Sequence, residues 1–229
     1  MLTDVQIVTY NALSTFAWGL LTVILMLTLQ RSHEYVARVV SLVHAVVALI
    51  VCSYALYDGH PHADFCTQAR DWELYAIMVT FGYFLMDAIG MCLSNFFDIL
   101  FMLHHAISLV GFALPMVVRS NAYEVVVVIM ILEFSNPVMH LHWLAVEDSV
   151  KQGVPPGTSP KLWHVFLRRT FYLHFAIGRF IFGPWSLYEV STHSCCYWLH
   201  AFIGLCFLVF STTFFVELML KVKRKESWR

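Results

Sequence analysis

Seven apolar runs, each near the length a helix needs to cross a bilayer core, constrain this chain more than any motif it carries. They fall at Val5–Leu29, Val36–Tyr57, Glu73–Leu93, Phe97–Val118, Ala122–Val146, Trp163–Leu187 and Trp198–Leu220, against the roughly 20 residues a hydrocarbon core requires. Backbone polar groups find no water in hydrocarbon, so each run is expected to bond internally as a helix. The expected fold is therefore all-α, a seven-transmembrane-helix bundle. Composition excludes a soluble globule: 59% of the residues are hydrophobic and 13% charged, too little polarity to cover a water-facing surface. No basic run suits nucleic acid. The first run has no Lys or Arg before it and exceeds a signal-peptide core, so it is expected to stay as the first span.

Sidedness follows from the basic residues. Arg31, Arg38, Lys151, Lys161, Arg168, Arg169 and the tail Lys221, Lys223, Arg224, Lys225 and Arg229 fall on one side of such a bundle, against Arg70 and Arg119 on the other. The basic side is expected to be cytosolic, with the N-terminus lumenal or extracellular and the C-terminus cytosolic. Cys66 and either Cys195 or Cys196 would then share the oxidising side, where a disulfide is an expectation whose pairing the sequence leaves open. Trp72, Trp163, Trp185 and Trp198 sit near span ends, where indole favours the interface. Pro115, Pro137 and Pro184 predict local breaks in their helices.

Against this background the polar residues inside the spans stand out. His104 and His105 are adjacent in the fourth, Asp87 lies in the third, Glu133 and His140 in the fifth, His44 in the second and Arg179 in the sixth. Ionisable groups at such depth face a protein interior or a watery cavity. At 1.5 Å of rise per residue, Asp87, His104, His140 and His44 all lie roughly 9 to 12 Å in from the cytosolic span ends. That shared level predicts one site in the cytosolic half of the bundle. Helical spacing adds detail: His104, Ser108 and Gly111 share a stripe with His105 turned about 100° away, so the two rings take different roles. Tyr83, Asp87, Gly90 and Ser94 form a second stripe, and Glu133, Asn136, Pro137 and His140 a third. Asp87 or Glu133 is expected to orient a histidine ring, and Arg179 to need a carboxylate or a lipid phosphate as counter-charge, with Glu133 the first candidate.

These residues stand in motifs that resemble a known family. Arg38-Val-Val-Ser-Leu-Val-His44, Gly82-Tyr-Phe-Leu-Met-Asp87, Leu103-His104-His105-Ala, Leu132-Glu133-Phe-Ser-Asn136-Pro137 and Gly178-Arg179-Phe-Ile-Phe-Gly-Pro184 occur in that order. The chain resembles the TLC-domain family, which takes in TRAM-type translocation proteins, ceramide synthases and small TLC-domain-containing proteins, and it looks most like the last. The resemblance divides the chain into a first helix and loop over 1–33, a TLC domain over 34–220 and a basic tail over 221–229. Ceramide synthases tend to carry two acidic residues around the Glu-Phe-Ser-Asn-Pro stretch, and Asn136 stands where the second would be.

The resemblance implies a role in lipid metabolism or homeostasis, with membrane lipids as partners. It further implies catalysis at His104, His105, Asp87 and Glu133, in a cavity completed by His44, Tyr83, Ser108, Asn136, His140 and Arg179. The reaction implied is ceramide-synthase-like acyl transfer, with acyl-CoA as co-substrate, a sphingoid base or phospholipid as acceptor, and no cofactor or metal. The competing expectation is a non-catalytic lipid-binding or cargo-regulating membrane protein. A zinc hydrolase drawing on His44, Asp87, His104 and His140 is a further alternative. A di-iron enzyme is disfavoured because only His104-His105 and His140-x-His142 offer paired imidazoles. The resemblance places the protein in the endoplasmic reticulum, with the plasma membrane as alternative.

Overall fold

A computed structural model describes residues 2–59, 67–93, 99–153, 162–193 and 198–223. The helices are α1 (Asp4–Leu29), α2 (His33–Gly59), α3 (Asp71–Leu93), α4 (Ile99–Val118), α5 (Ala122–Glu133), α6 (Asn136–Lys151), α7 (Leu162–Ile177), α8 (Gly183–Thr192) and α9 (Trp198–Lys223), with a π-helical turn over Gly178–Phe182. Among the described residues six stretches are long and apolar enough to cross a membrane: α1, α2, α3, α4, α5 and α6 taken together, and α9. The protein is an all-α, multi-pass membrane protein.

Two of the expected spans are not single helices. Ala122–Val146 divides between α5 and α6 at Phe134 and Ser135, and Pro137 occupies the first turn of α6, where its missing N–H costs nothing. The stretch expected as the sixth span is α7, the π turn and α8, with Pro184 in the first turn of α8; it is not among those six, and it carries three arginines, Arg168, Arg169 and Arg179, and two histidines, His164 and His174, that lower its hydropathy. The break expected at Pro115 does not occur, for α4 runs through it unbroken.

Burial is inverted relative to a water-soluble protein. Val5, Phe16, Ile50, Leu103, Val110, Val117, Leu162 and Val209 are exposed, whereas His44, Glu73, Ser108, Glu133 and His140 are buried. Leu103, Val110 and Val117 recur every seven residues and give α4 an outward stripe, and the residues between them turn His105 and Ser108 inward. Trp72, Trp163, Trp185 and Trp198 are all exposed near helix ends, consistent with interfacial placement.

The core lies where α3 packs against α1, α2 and α4. A Cβ on Gly82 would come within 2.3 Å of Ser14 Oγ and 2.7 Å of the Thr15 backbone nitrogen, so α1 and α3 meet backbone to side chain there. Trp18 of α1 fixes that contact by donating its indole N–H to the Val79 carbonyl at 3.1 Å. The two ends of the bundle are tied by polar contacts. At one, the Leu2 amide donates to Asp71 and Arg119 pairs with Asp4; at the other, Arg31 pairs with Asp148 and the Tyr35 hydroxyl donates to the same carboxylate. The expected disulfide involves Cys66, Cys195 and Cys196, which lie outside the described residues, as do Ser94 and Lys161.

Candidate functional site

The helices enclose a cavity of about 220 Å³. All ten residues picked from the sequence line it: His44 from α2, Tyr83 and Asp87 from α3, His104, His105 and Ser108 from α4, Glu133 from α5, Asn136 and His140 from α6, and Arg179 from the π turn. The cavity reaches the surface beside exposed His33 at the start of α2, with Glu34 and Arg38 also in its wall. It therefore opens at the end of the bundle where α2 begins.

The two adjacent histidines have separate environments. His105 Nε2 lies 2.9 Å from Asp87 Oδ2, and its Nδ1 lies 2.8 Å from the Phe101 carbonyl oxygen. A carbonyl can only accept, so Nδ1 carries the hydrogen and donates it one helical turn back. Both nitrogens of His105 are thus committed, and the carboxylate and the carbonyl fix its ring from opposite sides. His104 stacks on Phe210 of α9 with ring centres 4.7 Å apart, and its Nδ1 is buried with no hydrogen-bond partner. Ser108 belongs to the wall, but its hydroxyl donates to the His104 carbonyl at 2.7 Å and is spent within the helix.

A second carboxylate lies deeper. Glu133 Oε2 accepts from the Asn136 amide at 2.9 Å across the α5–α6 break and lies 3.9 Å from His44 Nδ1. The His44 ring stacks on Tyr83 at 3.8 Å, with Trp18 of α1 edge-on at 5.6 Å, and the Tyr83 hydroxyl shares a 2.8 Å hydrogen bond with Ser41. Both acidic candidates are therefore placed against a histidine, Asp87 in hydrogen-bonding contact and Glu133 at longer range.

One expectation for the site is corrected. Arg179 makes no ion-pair contact with Glu133, which acts on it only at longer range: its Nη2 donates to the Leu132 carbonyl at 2.7 Å and its Nη1 to Ser211 at 3.3 Å, because the π turn presses Gly178 onto α5, where a Cβ would come 3.0 Å from the Ile131 oxygen. Gly111 does not line the chamber but packs on Ile203, which an added Cβ would meet at 3.3 Å. Gly90 also lies off the wall, with nothing within 4 Å of its Cβ position. The zinc alternative finds no matching geometry, since among the described residues no group of three or more His, Cys, Asp or Glu side chains converges as a metal site.

Sequence reasoning missed Ser41, Thr80 and the place of Arg38 in the wall. The signal was present: Arg38, Ser41 and His44 recur every three residues, and Thr80, Tyr83 and Asp87 repeat the spacing of one helix face.

The chamber gathers unmet hydrogen-bonding capacity in one place. His44 Nε2, Thr80 Oγ1, His104 Nδ1, His140 Nδ1 and Arg179 Nε are all buried and unbonded within the protein, and all five residues line the one cavity. Buried polar atoms are nearly always paired, so this concentration marks a place built to receive a polar group.

Comparison with known proteins agrees with the motifs. The family model of the TLC domain matches residues 34–222. The chain belongs to the TLC-domain family. The match starts at the head of α2 and runs to the end of α9, so every residue of the chamber wall except His33 falls inside the TLC domain and α1 buttresses it from outside. No solved structure matches the chain. Membership and fold together make this an integral membrane protein of the TLC-domain class, consistent with a lipid-related role.

Proposed function

We propose that the protein is an acyltransferase of lipid metabolism that uses the chamber to join an acyl group from a thioester such as acyl-CoA to a lipid amine or hydroxyl. The observation that carries this reading is the pairing of roles at the histidine dipeptide: His105 is locked by Asp87 at 2.9 Å, while His104 beside it keeps an unbonded nitrogen in the same cavity. An imidazole held in a polar, enclosed site is a competent general base. His104 would take the proton of the attacking amine or hydroxyl as the new bond forms at the thioester carbonyl carbon. The carbon–sulfur bond breaks, and the departing thiolate takes the proton from His104 as the thiol. Asp87 and His105 would hold the neighbouring backbone and ring in place and offset the charge that develops.

The mouth supports entry of an anionic head from the basic side, with Arg38 in the wall and Arg168 and Arg169 on α7. A sphingoid base or a phospholipid is the acceptor class this reading favours, and the endoplasmic reticulum its compartment. The test is acyl transfer from a long-chain acyl-CoA by purified wild-type protein and by His104→Ala. Product from the wild type with a roughly hundredfold loss in the folded variant supports the enzyme.

A second reading is favoured by Asn136, which hydrogen-bonds Glu133 where ceramide synthases tend to carry a second acid. In it the chamber holds a lipid without transforming it. Product from neither protein, with lipid still bound, selects that reading. A lipidomic comparison of cells with and without the protein would then name the lipid.

A further inference from the structure

Arg179 is buried to 9% exposure in the membrane interior with no carboxylate in contact, and Glu133 acts on it only at longer range. Its two terminal nitrogens bond a carbonyl and a hydroxyl, both neutral, and its Nε is bonded to nothing. Among the described residues no carboxylate oxygen lies within 4.0 Å of it. The carboxylate on the same wall, Glu133, is engaged by Asn136 and His44 instead. The remaining support is the face of Phe175, 5.4 Å from the guanidinium carbon. Taking a charge out of water costs several kcal/mol unless a counter-charge and hydrogen bonds compensate, and here the hydrogen bonds are present without a counter-charge in contact.

The missing charge can come from a ligand, because Arg179 faces the chamber and not only its own helix neighbours. A guanidinium presents its donors in a planar fork matched to the oxygens of a carboxylate or phosphate. His104 on α4 and Glu133 on α5 lie near enough to interact with its charge, and His44 on α2 and His140 on α6 line the same cavity, as do Arg38, Asp87 and His105. His44, His104 and His140 each carry an unbonded ring nitrogen able to share a further oxygen. Low local polarity makes each such contact stronger than it would be at a surface.

We propose that Arg179 is the anchor for the oxyanion head of an amphiphile, a carboxylate or phosphate that descends into the chamber while its chain lies among the helices. This rests on the reading of the chamber as a lipid site but not on the acyl-transfer step. The site would thus select charged over neutral lipids at its floor, separately from any attraction that Arg38 exerts at the mouth.

The test measures binding of radiolabelled oleate and of radiolabelled lysophosphatidic acid to purified wild-type protein, Arg179→Gln, Arg179→Lys and Arg38→Gln, with oleyl alcohol as the uncharged competitor. The wild type should bind at least one anionic probe about tenfold better than it binds the alcohol, the size expected for one charge-assisted contact. Arg179→Gln should lose that preference, Arg179→Lys should keep part of it, and Arg38→Gln should keep most of it. Oleate favoured over lysophosphatidic acid assigns a carboxylate, and the reverse assigns a phosphate. Equal binding of the alcohol and both anions by the wild type overturns the proposal even if Arg179→Gln fails to fold, and so does a preference that disappears with Arg38→Gln but survives Arg179→Gln. An oleate site in a protein that transfers no acyl group sinks the reaction and keeps this inference; acyl transfer without charge preference does the opposite.

Discussion

Two kinds of void occur in this bundle, and they differ in what their walls leave unsatisfied. The chamber among α2, α3, α4, α5 and α6 brings together five unbonded buried polar atoms. The cavities of about 50 and 40 Å³ that adjoin α8 and α9 are bordered mainly by apolar residues such as Val125, Val128, Leu187, Ile203 and Phe207, with Glu124, Ser186 and His200 in the wall of the larger and Ser186, Ser211 and Arg179 in that of the smaller. At Gly204 two helices approach closely, for an added Cβ would meet Leu187 at 3.1 Å. The apolar part of such a wall carries no chemical demand. The chamber does, since each buried unpaired donor or acceptor costs about 1 to 3 kcal/mol relative to a satisfied one. Arg179 and Leu132 line both the chamber and the smaller of the two cavities, so the boundary between the two kinds of void runs through that side chain.

The comparison can be broken most severely at the chamber. Asp87→Asn keeps the shape but weakens the hold on His105, and acyl transfer should fall roughly hundredfold while the melting temperature of the purified protein stays close to wild type. An unchanged rate would detach the Asp87–His105 contact from function. The next effect concerns packing alone. Gly82→Leu must push α1 off α3, because even a Cβ there meets Ser14 and the Thr15 backbone; a loss of about 1 to 3 kcal/mol is expected, read as a lower melting temperature. Wild-type stability in that variant would show that the α1 contact is loose.

Smaller effects sharpen the contrast. Gly204→Ala meets only the end of the Leu187 side chain at 3.1 Å, so it should cost less than about 1.5 kcal/mol and leave transfer intact. Transfer lost in that variant would mean that the apolar cavities take part in function. The smallest change is expected for Arg31→Ala, which removes a partly exposed pair with Asp148. Exposed pairs contribute about 0 to 1 kcal/mol, so denaturation curves should nearly superimpose; a large shift would show that this contact closes the chamber end of the bundle.

Much of the site was legible in the sequence because hydrocarbon makes polarity costly. A His44 or an Asp87 in an apolar run advertises an interior position, and a common depth from the span ends was enough to group residues from four helices. The roles within the group were less legible. Helical phase placed His105 on another face from His104, yet both reach the chamber, since α3 and α5 wrap around α4 and supply Asp87 to the second face. The partner of Arg179 could not be read because the π turn shifts the helix register just there and brings the guanidinium to a backbone carbonyl. Pro115 shows the converse: a proline signals a break only where nothing else holds the helix, and α4 is held on both sides of it by buried Phe112 and Met116.

The central claim, that these polar groups share one chamber open at the end where α2 begins, is tested most directly by cysteine labelling. In a cysteine-free background, Ser41→Cys and Asn136→Cys line the chamber, and Val128→Cys lies in the apolar cavities. A membrane-impermeant thiol reagent applied to sealed vesicles of known orientation should label the first two from the cytosolic side only, and leave Val128→Cys unlabelled from either side. Labelling of Val128→Cys with Ser41→Cys and Asn136→Cys inert would contradict the account.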